Sequence, residues 1–305
     1  MRTSGSWIDS QLMRDFEAEK TNAHRLCTAS DGWVERFGAD VLVSFKSETA
    51  RERLTTEYFL WAETLGFTLS RMFARFLPKR NAEREAPRLL LGDEQANLRT
   101  VVMERCLRYG IDFGAGYSVG LFVDQRENRR FVRQVEPRRL LNCFAYTCSF
   151  SVAAASVGTR TVSVDLSRRS LERGRENFLL NGLPAEEHRF TTDDVFEVLP
   201  RLARGGEKFD MIVLDPPTFS RSRRGRTFQV QSDFENLLLT ALEVADRDSH
   251  ILLSTNFSNL DERALEVMAR FCLKAARRAG KFHRQPKPAE FPPGAGASTV
   301  WLTLY

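Results

Sequence analysis

The sequence predicts an α/β protein: a mostly parallel sheet with helices on both faces, preceded by a small α/β domain. Three observations carry this. From about residue 131 onward, apolar strand-like runs alternate with helical runs up to the C-terminus. Alternating β and α units imply parallel strands covered on both faces. Acidic residues stand just past the ends of these runs, where open α/β sheets bind their ligands.

The elements follow in order. Residues 1–20 read as an N-terminal helical extension, because Ile8, Leu12 and Phe16 recur at four-residue spacing with acids between. Residues 21–100 read as the small α/β domain, with DVLVSF (40–45) as strand and YFLWAETLGFTLSRMFARFL (58–77) as a helical stretch. Within it the polar run PKRNAEREAPR (78–88) reads as a linker or surface loop. Residues 101–130 read as a β-hairpin bridge around GAGYSVG. In the last block, 131–305, the strands are RLLNCFA, TVSVD, HRFTT, FDMIVLD, SHILLST and STVWLTL, separated by helical segments.

Composition bounds the function. A chain of 305 residues with 42% hydrophobic content has room for one large domain and a smaller one. The charge balance, 45 basic against 40 acidic, permits a nucleic-acid partner without requiring one. Five cysteines form no C-x-x-C pair, and no histidine stands at ligand spacing around Cys143 and Cys148, which points to a reducing, cytoplasmic protein without a metal site. MRTSGSWIDSQ lacks the apolar core of a signal peptide, and no apolar run approaches a membrane span.

The strand ends supply the candidate site. The first strand runs into LNCFAYTCSF, where a nucleotide-binding fold places a glycine-rich turn, yet this stretch has no glycine. Its Thr-Cys-Ser triplet raises two readings: an unusual cofactor turn, or a cysteine nucleophile. The second strand ends at Asp165, about 20 residues on, a position suited to a ribose diol; Ser167 then reads as a helix N-cap. Asp193 and Asp194 follow the third strand, as adenine contact or as helix cap. The fourth strand ends in Asp215-Pro216-Pro217, with Phe219 close behind. Two prolines stiffen the turn and expose carbonyls, so this edge suits a flat acceptor held by hydrogen bonds and stacking. Arg221, Arg223, Arg224 and Arg226 come next, as phosphate contacts or as a solvated charged loop.

These residues, in the order N-x-F-x-Y-T, SVD, DDVF and DPPTFS, with GLFVDQRENRR upstream, resemble the class I S-adenosylmethionine-dependent methyltransferases, specifically the large-subunit ribosomal RNA methyltransferases of the RlmI and RlmK type. The resemblance covers about residues 20–305. It implies a Rossmann-like catalytic domain over 131–305 with a mostly parallel seven-stranded sheet, S-adenosyl-L-methionine as cofactor, and RNA, specifically large-subunit ribosomal RNA, as partner. It assigns Phe144, Tyr146 and Thr147 to the methionine side of the cofactor, Asp165 to the ribose, Leu166 to the adenine ring, and Asp194 or Asp193 to its amino group. Asp215, Pro216, Pro217 and Phe219 form the acceptor edge, with the arginine run and Asn256 toward the substrate. Asp124, Gln125 and Arg126 close over cofactor or RNA. No metal or membrane is implied, and a homodimer is one option for assembly.

The sequence departs from that pattern in three ways. Cys148 replaces the glycine that normally follows the threonine. The match starts near residue 20, leaving no room for the RNA-binding PUA domain that often begins RlmI-type proteins. Where the cytosine-C5 enzymes carry Ser-Cys-Ser, this chain reads LLSTNFSN, with Asn256 and no cysteine. Cytosine C5 needs a thiolate adduct to become nucleophilic, whereas guanine N7 already presents a lone pair. The expected reaction is therefore methylation of a base in ribosomal RNA, guanine N7 favoured over cytosine C5. A methyltransferase acting on a small molecule or protein, and a non-catalytic nucleotide- or RNA-binding relative, are the alternatives.

Overall fold

The computed structural model describes residues 5–78, 84–221, 227–257 and 259–305. They form two compact units, Met1–Asp124 with Lys287–Ala295, and Gln125–Pro286 with Gly296–Tyr305.

The first unit runs β1 (Ser6–Trp7), α1 (Ser10–Ala18), β2 (Ala23–Ala29), β3 (Gly32–Phe37), β4 (Asp40–Phe45), α2 (Glu48–Leu65), β5 (Arg71–Phe76) and β6 (Arg88–Leu91), followed by a hairpin of β7 (Arg99–Glu104) and β8 (Leu107–Asp112). The first six strands make one sheet in sequential order, antiparallel except where α2 carries the chain from β4 to a parallel β5. Both helices start on a side-chain cap: Asp9 accepts from the Leu12 N–H at 2.9 Å and Ser47 from the Ala50 N–H at 3.2 Å. Met13 and Phe16 of α1 and Leu54, Tyr58 and Trp61 of α2 pack with Leu26, Val34, Val41 and Val43 of the sheet. The N-terminal helix is thus part of this core and not an extension before it. A second departure from the sequence reading is that residues 287–295, far along the chain, belong here, with Phe291 lying 4.1 Å from the Arg25 guanidinium.

Ion pairs are buried in the same sheet. Arg71 donates through Nε (2.9 Å) and Nη2 (2.6 Å) to the two oxygens of Asp40, and Arg25 pairs with Glu35 at 3.1 Å. The fork geometry matches the carboxylate and compensates its desolvation.

The second unit carries α3 (Arg126–Val135), β9 (Arg139–Cys143), α4 (Ser149–Ala155), β10 (Arg160–Asp165), α5 (Arg168–Leu180), β11 (Arg189–Thr192), α6 (Val195–Arg204), β12 (Phe209–Leu214), the short hairpin β13 (Phe219–Arg221) and β14 (Thr227–Gln229), α7 (Val230–Val244), β15 (Ala245–Thr255), α8 (Glu262–Ala275), β16 (Gly280–His283) and β17 (Ser298–Leu304). The seven-stranded sheet has the order β11-β10-β9-β12-β15-β17-β16. The first five strands are mutually parallel and β17 is antiparallel to both of its neighbours. This is the Rossmann-like, mostly parallel sheet expected; β16 is the strand that the sequence pattern did not separate.

Both faces are covered, which is why the strands are apolar on both sides. Leu141, Ile212, Leu214, Ile251 and Leu253 face α6, α7 and α8, while Leu140, Met211, Val213 and Leu252 face α3 and α4. The order reverses at β9, so the carboxyl ends of β9, β10 and β12 flank the switch point where such sheets bind ligands.

Replacing Asp40 with Ala strands the Arg71 guanidinium in a buried site. The expected loss is about 3–5 kcal/mol of unfolding free energy, measured by urea titration.

Candidate functional site

The turn after β9 is built without glycine in a backbone conformation that glycine ordinarily supplies. Phe144, Tyr146 and Cys148 have φ of 59°, 47° and 60°, so alternate residues occupy the left-handed region. Each non-glycine residue there costs about 1–2 kcal/mol, so the surroundings must hold the turn. The Ala145 N–H donates to the Val164 carbonyl at 2.9 Å, the Tyr146 N–H to Asp165 Oδ2 at 2.8 Å, and the Cys148 N–H to the Ala145 carbonyl at 2.8 Å. Asn177 of α5 donates through Nδ2 to the Thr147 carbonyl at 2.9 Å. Beneath the turn, Asn142 Nδ2 donates to Ser151 Oγ (2.9 Å), which meets Ser163 Oγ at 2.8 Å.

Cys148 is fully buried and stands at the N-cap position of α4 with a left-handed backbone. Its side chain fits because α5 carries Gly174 opposite it. A Cβ built on Gly174 would overlap Cys148 Sγ and lie 3.0 Å from Cys148 Cβ. The glycine absent from the turn is matched by a glycine on the facing helix. Burial pushes the thiol up to about 12, against a hydrogen bond with Ser163 that acts the other way. A protonated, solvent-excluded thiol is a poor nucleophile, which argues against the nucleophile reading of Thr-Cys-Ser.

Asp165 closes the second side. Its Oδ2 accepts from Tyr146 and its Oδ1 from the Ser167 N–H at 2.8 Å, so the one carboxylate joins the β9 turn to the start of α5. Burial raises its pKa above the ordinary carboxylate value, and the two backbone N–H donors pull it back. Each oxygen retains a lone pair for a further donor. Ser167 caps α5 as the sequence suggests, accepting from the Ser170 N–H at 3.1 Å. Leu166 between them is half-buried.

The third strand end is drawn in by the Asp193 N–H, which donates to the Asp165 carbonyl at 3.1 Å. Asp193 Oδ2 pairs with Arg201 and its Oδ1 accepts from the Asp194 N–H. Asp194 caps α6, accepting from the Phe196 N–H at 3.0 Å. The turn, Asp165 and the Asp193-Asp194 pair are therefore brought together at the carboxyl ends of β9, β10 and β11.

At the fourth strand end, Asp215 is half-buried, Pro216 buried and Pro217 exposed. The chain then forms the β13–β14 hairpin, with Phe219 paired to Gln229 and Arg221 to Thr227, and the Val230 N–H returns to the Thr218 carbonyl at 3.2 Å. Arg223, Arg224 and Arg226 lie outside the described residues. Asn256 is exposed just past β15.

Gln125 and Arg126, expected to close over cofactor or RNA, are both buried, at 2% exposed. Trp301 Nε1 donates to Asn128 Oδ1 (2.8 Å), Asn128 Nδ2 to Gln125 Oε1 (2.8 Å), and Gln125 Nε2 to Ser254 Oγ (3.0 Å). An indole N–H only donates, which fixes the orientation of both amides. The chain of bonds ties α3 to β17 and to the carboxyl end of β15. Asp124 falls in the first unit.

Sequence reasoning missed Gly174, Asn177, Ser151 and Ser163. Gly174 did carry a signal: a glycine inside the helical stretch LERGREN costs about 1 kcal/mol against alanine and asks for a packing reason.

Gly174→Ala is expected to destabilise the protein by about 1–3 kcal/mol through overpacking against Cys148. Adding Cys148→Gly removes the obstructing sulfur and should recover most of that loss, read as coupling in a double-mutant cycle by thermal unfolding.

Comparison with known proteins identifies the family. The ribosomal RNA large subunit methyltransferase I of Aeromonas salmonicida is 31% identical over 286 residues, covering 88% of this chain and 70% of that protein. Its namesake from Tolumonas auensis is 35% identical over 190 residues, 61% of this chain and 47% of that protein, and YwbD of Bacillus subtilis is 38% identical with 40% of its length covered. The chain thus spans less than half of the length of these last two relatives. Among solved structures, SMU.776 complexed with SAH superposes with a TM-score of 0.81 at 23% identity, over 97% of this chain and 78% of that one. The SAM-dependent methyltransferase from Agrobacterium tumefaciens superposes with 0.71 at 18%, over 93% and 90%. At these identities the structures establish the fold. A family model described as S-adenosylmethionine-dependent methyltransferase matches residues 46–301, a span that contains the turn, the acids and the Asp-Pro-Pro edge, and the chain belongs to that family.

Proposed function

We propose that this protein transfers the methyl group of S-adenosylmethionine to a base of large-subunit ribosomal RNA, with guanine N7 as the acceptor atom. The observation that carries the cofactor half is the Asp165 carboxylate, positioned by two backbone N–H groups and with acceptor capacity left for a ribose diol. Phe144 and Tyr146 then flank the methionine portion, Thr147 contributes turn shape more than a side chain because it is buried, Leu166 lies against the adenine ring, and Asp193 or Asp194 meets its amino group. Bound there, S-adenosylmethionine supplies an electrophilic methyl group on a sulfonium.

Asp215, Pro216, Pro217 and Phe219 form the acceptor edge, with Asn256 nearby in sequence order at the next strand end and Arg221, Arg223, Arg224 and Arg226 toward the RNA backbone. RNA as substrate is supported by the similarity to the Aeromonas and Tolumonas ribosomal RNA large subunit methyltransferases I. Nitrogen methylation is supported by the cysteines of the second unit. Cys143, Cys148 and Cys272 are all buried, and burial raises each thiol, Cys272 to about 11. None offers the thiolate that C5 chemistry needs. Alignment of the lone pair with the methyl group is then the main task of the protein.

Two measurements test this. Large-subunit ribosomal RNA from a strain lacking the gene, incubated with the purified protein and labelled cofactor, should yield 7-methylguanosine on nucleoside mass spectrometry. Label in 5-methylcytidine would overturn the nitrogen assignment, and no label in RNA would overturn the substrate. For the cofactor, a diol needs an ionised acceptor, and a carboxylate is ionised above its pKa. Affinity for S-adenosylhomocysteine should be full at neutral pH and fall as pH drops through the raised pKa of Asp165. Asp165→Asn should weaken binding about 10–100-fold, the worth of hydrogen bonds to a charged acceptor, and flatten the pH dependence in calorimetry.

A further inference from the structure

The first unit contains a cavity of about 580 Å³, bounded by α1, the end of α2, the β3–β4 turn and β7. Its lining is mostly polar, with Arg14, Glu17, Asn22 and Arg36, and the apolar part comes from buried Met13 and half-buried Leu65 and Phe67. Arg36 lies inside. Its guanidinium carbon stands 4.6 Å over the Phe67 ring, and its Nε donates to the Gly38 carbonyl at 2.8 Å. Among the described residues no carboxylate reaches ion-pair distance of Arg36. Burial lowers its pKa, with Glu17 the main opposing charge. The terminal N–H groups of the planar fork are therefore available to a further acceptor. Thr68 and Thr100 add hydroxyls, and Val101, 48% exposed, stands on the rim.

We propose that this cavity binds an unpaired nucleotide of the RNA substrate, separate from the base that is methylated. The inference rests on the RNA reading above. The Phe67 ring with the guanidinium stacked on it suits a base of any identity, and the fork suits a phosphate or a base carbonyl. The volume lies in the range of small-ligand sites. Such a contact adds affinity for RNA without taking part in methyl transfer.

The test uses the full chain, a fluorescent single-stranded RNA of mixed sequence, and S-adenosylhomocysteine titrated in parallel. Arg36→Lys keeps the charge but loses the fork and the stacking surface. Val101→Glu adds a negative charge at an exposed rim position. RNA affinity should fall about fivefold in the first and about tenfold in the second, with cofactor affinity within about twofold of wild type, because the cofactor turn lies in the other unit. Should Arg36→Lys fail to unfold cooperatively, Val101→Glu decides alone. Wild-type RNA affinity in the folded variants overturns the cavity and leaves the proposed function standing. A wild-type chain that binds no RNA overturns both. Displacement of the RNA by micromolar nucleoside monophosphates would assign the cavity to free nucleotides and overturn the RNA contact.

Discussion

The arrangement of the second unit depends on one carboxylate. Asp165 sits at the end of β10 and accepts one backbone N–H from the turn after β9 and one from the start of α5. Those two bonds fix a turn that runs through three left-handed residues, none of them glycine. They also fix the carboxylate, because an acceptor with both oxygens engaged cannot rotate freely. The electrostatic cost is visible in the raised pKa of the group. A buried charge that is positioned but not neutralised is the kind of group that clusters at functional sites.

The same turn shows how a rule of local sequence is met by other means. A glycine at position 148 would allow the left-handed conformation without strain. This chain places cysteine there and glycine at 174 on the helix across from it, so the side chain enters space that a Cβ on α5 would fill. The thiol becomes packing volume and loses reactivity as it is desolvated. Backbone strain in the turn is thereby offset by contacts that only the folded unit provides. The hairpin between β7 and β8 departs from the rule in the same way, with Arg105 and Cys106 at φ of 46° and 71°, where Asn-Gly is the usual pair.

Much of the site was legible in the sequence because strand ends are legible. Asp165, Asp193 and Asp194 were located by the runs that precede them, and Ser167 as a cap by the helical pattern that follows. The burial of Gln125 and Arg126 was not legible, because burial and hydrogen-bond polarity are not written in residue type. Trp301, far along the chain, is what turns the Asn128 and Gln125 amides inward.

The sequence by itself determined the alternation of strand and helix, hence a parallel sheet and the edge where a ligand binds, because hydrophobic period and turn chemistry are local properties. Tertiary structure alone decided three things: that the N-terminal helix and residues 287–295 belong to one unit, that Gly174 makes room for Cys148, and that a half-buried Arg36 stands over Phe67 in a cavity. Each is a meeting of residues distant in the chain, and such meetings are set by packing and by the pairing of buried polar groups, which no local pattern encodes.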